Sequence, residues 1–315
     1  MVTTNTSNQF DDDKIVPRKS GTPKAQKHGP IEEVIKGKVY VVKGETSMNM
    51  GMFMPKMVFS RSMTILRQKS NKNDDDTYEL TLVNSIRLNK DTLKELDSMG
   101  KVTNIVKLAS HHGYDDPYYK TRYGKNVCIW EPYGSKYFDG IDPYANKGVC
   151  YYKPDKYYKN GDIVEFLDNA VFQNAKFVVI ESAKIPDGLL VFDTKVECNA
   201  NNSDDDDGSS SPKNKKMKLT TQKKIMIAGD SFQNYNGPDE YTNWFGKICM
   251  NMLGFFIPYN IGPPWYETMK PQKQELLDIC NTTQFDYLFP AHGTPVLEIA
   301  YIKYKMTIAK LPQHK

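Results

Sequence analysis

The chain has 315 residues, a net charge of +4 and 39% hydrophobic side chains. That length fits one large domain or two ordinary ones, and so small and evenly mixed a charge argues against a nucleic-acid partner. Five widely spaced cysteines without a CxxC pair exclude a disulfide framework and a cysteine-based zinc site.

Residues 1–30 are rich in Thr, Asn, Lys and Pro. They offer too little apolar surface to offset the entropy of ordering, so a disordered tail is expected there, followed by a single domain over 31–315. There is no apolar leader and no run near the roughly 18 residues of a membrane span. The expected location is the cytoplasm, where thiols stay free. Val39 to Val42 reads as a first strand. Met48, Met50, Met52, Met54 and Met57 form a methionine stripe, expected to be pliable packing. Met63–Leu66 and Leu80–Val83 are β-prone and flank the polar stretch from Lys69 to Asp76, which predicts a hairpin. Asn89 or Asp91 caps a helix to about Met99, with Leu93, Leu96 and Met99 on one face and Gly100 as its stop.

Val102 to Leu108 is the next strand, and Pro117 to Tyr123 a short helix. Val127–Trp130, Ile163–Phe166, Phe177–Ile180 and Leu189–Phe192 are further strand candidates, whereas Tyr137 to Tyr158 has no clear period. Residues 199–222 are low in complexity, with Asp204 to Asp207, a Ser run and Lys213 to Lys218. A disordered surface insertion is expected there. Its lysines match a nuclear import signal, although a basic half solvated beside its acidic half is the plainer account. Then come a strand from Ile225 to Ala228, a helix over Tyr241–Leu253, a rigid loop at Gly262-Pro263-Pro264-Trp265, a helix over Pro271–Cys280, a strand at Tyr287–Phe289 and a terminal helix from about Val296 to Ala309. Strands flanking short amphipathic helices predict an α/β layered domain.

Three of these strands end alike. The first leads into Ala109-Ser110-His111-His112-Gly113-Tyr114-Asp115-Asp116-Pro117, the second into Gly229-Asp230, the third into Ala291-His292-Gly293. Imidazoles and carboxylates are the usual ligands of zinc and iron and the usual acid–base groups, and α/β proteins place chemistry just past strand ends. His111 and His112 point to opposite sides in extended chain. Gly113 permits close backbone approach and so favours His112. Asp115-Asp116-Pro117 also reads as a helix cap and Asp230 as a cap for the segment at Ser231. Glu181, after Val178-Val179-Ile180, is a further candidate site carboxylate, with a strand-end surface charge as the stronger account.

In this order the elements resemble the metallo-β-lactamase fold superfamily over roughly residues 38–310. The carriers are the early hairpin leading to Leu80-Thr81-Leu82-Val83-Asn84-Ser85, the His/Asp loop, Gly229-Asp230 and Ala291-His292-Gly293. The resemblance implies a four-layer αββα sandwich with mixed sheets and the site at one edge. It departs from the His-x-His-x-Asp-His motif: one alignment puts His111, Gly113 and Asp116 on its three histidines, and another uses His112 with Asp115 or Asp116. No histidine lies between His112 and His292, and Asn84 stands where many members have Asp. A full two-metal set is therefore absent. The resemblance implies at most one zinc or iron, with His112, Asp230, His292 and His111 as metal candidates and Asp115 or Asp116 as ligand or catalytic proton acceptor. The implied function is hydrolysis of a small molecule. The alternative is a non-catalytic binding protein whose cluster is a metal-free polar network.

Overall fold

The computed structural model describes residues 25–70, 77–109, 112–135, 154–199 and 218–314. Its first sheet takes seven strands side by side in chain order: β1 (Glu32–Ile35), β2 (Val39–Met48), β3 (Met57–Lys69), β4 (Tyr78–Val83), β5 (Lys101–Val106), β6 (Cys128–Pro132) and β7 (Lys156–Tyr158). Pairing is antiparallel from β1 to β4 and parallel from β4 to β7. The parallel steps need crossovers, and two are helical: α1 (Lys90–Met99) and α2 (Asp116–Tyr123). As expected, Asn89 caps α1, its side chain accepting from the Asp91 and Thr92 amides at 3.1 and 3.0 Å.

The second sheet holds β8 (Gln173–Ile180), β9 (Asp187–Asn199), β10 (Lys218–Ala228), β13 (Tyr287–Pro290) and β14 (Val296–Leu297) in the order β14-β13-β10-β9-β8. Only β10 and β13 are parallel there. Between them run the small ribbon β11 (Phe232–Gln233) and β12 (Asn260–Ile261) and the helices α3 (Trp244–Met252), α4 (Pro263–Met269) and α5 (Lys273–Thr283). α6 (Ala300–Lys310) follows β14.

Side-chain alternation along the strands builds the layers. Leu66, Val83 and Val106 of the first sheet pack with Leu190, Phe192, Ile225, Ile227 and Phe289 of the second. Their neighbours on the opposite faces, Met63, Ile65, Leu80 and Leu82, pack against Leu93 and Leu96 of α1 and Tyr118 and Tyr119 of α2. On the far side Leu189, Val191, Met226 and Leu288 pack under Trp265, Leu276, Ile279, Tyr304 and Ile308 of α4, α5 and α6. The result is a four-layer αββα sandwich with two mixed sheets. Strands buried on both faces explain the near-continuous apolar runs in the sequence.

Several expectations need correction. Residues 25–30 run along β2, with the Gly29 amide donating to Lys43 O at 2.8 Å and the Glu45 amide to Lys27 O at 2.8 Å. Only residues 1–24 of the expected tail lie outside the described residues. Ile163–Phe166 makes a single bridge, Ile163 to Lys176, and is not a strand. The Pro263-Pro264 pair opens α4 with proline in its first turn, where a missing amide proton is harmless. Val296 pairs in β14 before the last helix starts. The methionine stripe is mostly in solvent: Met52 is 89% and Met54 57% exposed, and only Met57 is buried. β1 had no sequence expectation.

The expected insertion is shorter than 199–222, because β9 and β10 pair out to Asn199 opposite Lys218. Residues 200–217, including most of the lysine run, lie outside the described residues. Replacing 200–217 by Asn-Gly closes that hairpin with a favoured two-residue turn. The melting temperature should then move by less than about 5 °C, since loop length contributes weakly to closure entropy. A larger fall in a thermal melt would show that the replaced residues contribute packing.

Candidate metal centre

The C-terminal ends of β10 and β13 lie side by side because the strands are parallel. The end of β5 meets them across the sandwich, and the sheets pinch together there. The Ser62 amide donates to Ala291 O at 2.7 Å and the Gly188 amide to Leu108 O at 2.7 Å. Small residues permit this approach: a Cβ on Gly229 would fall 2.6 Å from Ala109 Cβ, and one on Gly293, at φ +97°, would fall 2.0 Å from Asn234 O. Asn84 crosses the pinch. Its amide donates to Ala228 O at 3.1 Å and its carbonyl accepts from the Leu108 amide at 3.2 Å, from a left-handed backbone at φ +54°. Asn84→Ala should destabilise by about 2 kcal/mol through lost buried hydrogen bonds and backbone strain. Asn84→Gly, free of the strain, should lose less. Chemical denaturation measures both, and equal losses would remove the backbone argument.

The pinch brings together His112, Asp230 and His292, which are 4%, 7% and 7% exposed. His112 Nε2 lies 3.0 Å from Asp230 Oδ1 and 3.2 Å from His292 Nε2, and His292 Nε2 lies 3.1 Å from the same Asp230 oxygen. His292 Nδ1 lies 2.9 Å from Ser60 O. A carbonyl only accepts, so that nitrogen carries the proton. A neutral His292 therefore aims the lone pair of Nε2 at a carboxylate oxygen and another imidazole nitrogen. A metal ion at the centre relieves that contact, as does a proton carried on His112 Nε2. Asp230 Oδ2 is buried without a hydrogen-bond partner. Burial pushes the Asp230 carboxyl up, but the two imidazoles more than offset it and hold it well below the usual carboxylate range. Burial pushes His112 below its ordinary value against the pull of Asp230. Neutral imidazoles with an ionised carboxylate are the ligating forms. Ligand atoms about 2.0–2.1 Å from a tetrahedral ion stand roughly 3.3 Å apart, so the spacing fits a metal with slight expansion.

His111 lies outside the described residues. Asp115 and Asp116 do not join the triad. Asp115, fully buried, pairs with the Arg61 guanidinium and makes no side-chain cap on α2. Asp116 accepts from Ser85 Oγ at 2.5 Å, and burial pushes its carboxyl up to about 6 against the pulls of Ser85 and Lys107. Glu181 is exposed.

The sequence reading missed four buried charged groups. Asp187 accepts from the Ser231 amide at 3.0 Å and so fixes the turn carrying Asp230. Burial, then the charge of Asp230, push its carboxyl well above the usual range. Pro186-Asp187-Gly188 carried no sequence expectation. Arg61, Lys107 and Glu131 sit inside strands or at their ends, with Lys107 Nζ 3.7 Å from Glu131 Oε1. The one signal was a lone charge within an apolar run.

No protein-family model matches this chain and no curated protein sequence matches it. Among solved structures it is similar to DIM-1 metallo-β-lactamase exposed to ceftazidime, at 12% identity over 91% of this chain and 98% of that one, TM-score 0.47. It is similar to BJP-1, a subclass B3 metallo-β-lactamase of Bradyrhizobium japonicum, at 10% identity over 91% and 92%, TM-score 0.45. A third is ST1585, an archaeal metallo-β-lactamase superfamily protein from Sulfolobus tokodaii, at 12% identity over 85% and 87%, TM-score 0.42. The names these structures carry are those of the fold expected from the sequence. The αββα layering itself rests on the packing described above.

Proposed function

We propose that the chain is a metal-dependent hydrolase of metallo-β-lactamase type that works with one divalent ion, zinc or iron, on a small-molecule substrate. One observation carries the reading: three ligand atoms from three strand ends converge within 3.2 Å, with the His292 proton fixed on the far side of its ring. His112, Asp230 and His292 hold the ion. When bound, it polarises a carbonyl or phosphoryl oxygen and acidifies a water. Ser60 O orients His292, and Asp187 positions Asp230 through the Ser231 amide. Of the two loop carboxylates, Asp115 is engaged by the Arg61 guanidinium, which leaves Asp116, bonded to Ser85 Oγ, as the candidate proton acceptor.

The burial of all three triad residues favours a second reading, a metal-holding but non-catalytic relative. Elemental analysis of protein purified without added metal tests both. About one divalent ion per chain is expected, lost in Asp230→Asn and His292→Ala variants that keep their circular dichroism. A wild type that neither carries nor takes up zinc or iron overturns the metal reading. Loaded protein that cleaves neither p-nitrophenyl acetate nor bis-p-nitrophenyl phosphate supports the second reading over the first.

A further inference from the structure

α3 is apolar on both faces. Its inner face packs on β3 and on the Tyr235 region: Met250 is buried against Met57 and Tyr235, with Phe59 and Phe245 beside them. Gly246 allows the contact, since a Cβ there would fall 2.3 Å from Val58 O. The outer face carries Trp244, Ile248 and Met252, 64%, 51% and 81% exposed. Their four-residue spacing makes one stripe. Lys247 and Asn251 lie beside this stripe. An outward apolar stripe on a helix whose inner face is already packed belongs against a second apolar environment, and this one faces solvent.

The tip of the β2–β3 hairpin stands next to it. Asn243, the N-cap of α3, donates from its side chain to Lys56 O at 2.9 Å and accepts from the Val58 amide at 3.2 Å. Beyond Lys56 the tip exposes Met52, Phe53 and Met54, with Phe53 93% exposed. Hairpin and helix thus form one apolar surface. The charged residues of segments 46–60 and 241–266 are Lys56 and Lys247, and neither segment contains a carboxylate side chain. Both lysines are exposed. At the margins Glu45 lies three residues down the hairpin from Met48, Glu240 and Glu267 directly flank the second segment and are exposed, and Asp239 is held by Lys43 at 2.7 Å.

We propose that this surface docks on an anionic lipid membrane, lying in the headgroup region without crossing it. Exposed Trp, Phe and Met with lysines inside the patch and acids only at its margins is the composition of an interfacial anchor, and lysines near anionic headgroups add attraction. A second copy is a poorer occupant, because self-pairing brings like charges together. Among the described residues no helix is long and apolar enough to span a bilayer.

Co-sedimentation of the full chain with sucrose-loaded vesicles tests this. One set is phosphatidylcholine alone and the other an equal mixture with phosphatidylserine. The wild type should pellet with the mixed vesicles and much less with phosphatidylcholine. Met52→Ser/Phe53→Ser/Met54→Ser and Trp244→Ser/Ile248→Ser should each weaken partitioning about tenfold or more, and Lys56→Glu/Lys247→Glu should do so on the mixed vesicles only. All changed positions are exposed, so folding, followed by circular dichroism, should be kept. A wild type left in the supernatant with mixed vesicles, or apolar variants that pellet like wild type, overturns the proposal. So does a stable dimer in analytical ultracentrifugation that the same substitutions dissociate, which would assign the face to self-association.

Discussion

Arg61→Met should lower stability by about 3–5 kcal/mol, the loss expected when one partner of a buried ion pair is removed. Arg61 is 5% exposed and Asp115 fully buried, and the guanidinium holds the Asp115 carboxylate directly. Without Arg61 that carboxylate must stay charged in a dry interior or take up a proton, and either is unfavourable. In a chain this size the shift corresponds to a melting temperature lower by about 10 °C. The double variant Arg61→Met/Asp115→Leu should recover most of the loss, since a buried pair often contributes little more than an apolar replacement. A single variant within about 1 kcal/mol of wild type would show that the pair is not buried in solution. The charge of Arg61 also pulls down the His112 imidazole and the Asp116 carboxyl, so its loss should reach the triad.

The strand ends that carry the triad were legible because each announces itself twice: an apolar run stops, and a ligand-type residue follows beside Gly or Ala. Spacing along the chain could not say that β10 and β13 are parallel neighbours, but the shared pattern at their ends was enough to bring Asp230 and His292 together. Choosing His112 over His111 rested on Gly113 allowing close approach, and a Cβ on Gly113 would fall 2.7 Å from both Asp116 Oδ2 and Lys107 Cδ. What the sequence hid was compensation. Lys107 in an apolar run is indistinguishable from a surface lysine until Glu131 is seen across the parallel pair β5–β6. Arg61 likewise needs Asp115, 54 residues away. The methionine stripe misled for a related reason: hydrophobic composition predicts burial only where something covers it, and the β2–β3 tip is covered by nothing among the described residues. α4 hid because Pro263-Pro264 marks a turn as readily as a helix start.

The Lys107–Glu131 pair leads to a pH dependence with a defined sign. Glu131 is 3% exposed, and its Oε2 has no hydrogen-bond partner. Burial pushes its carboxyl up to about 7, Lys107 pulls it down, and the charge of Asp116 adds to the rise. The unfolded chain releases this proton near 4.5. Between those values the folded chain holds a proton that the unfolded chain has lost. The stabilisation is therefore complete below about pH 4.5 and disappears as pH rises through about 7. Asp116, raised to about 6 from 3.8, tilts the curve the same way. His112, held below its ordinary 6.5 by burial, tilts it in the opposite direction, and Asp230 acts only at more acidic pH. Comparison between variants separates these contributions. Denaturation from pH 5 to 8 should show wild type losing up to about 3 kcal/mol relative to Glu131→Gln over that range. The readout is the slope, because the Glu131→Gln change also removes a counter-charge from Lys107. Lys107→Met should move the wild-type descent to higher pH, by removing the group that pulls Glu131 down. Curves for wild type and Glu131→Gln that run parallel across pH 5 to 8 would show that Glu131 is ionised in the folded protein throughout.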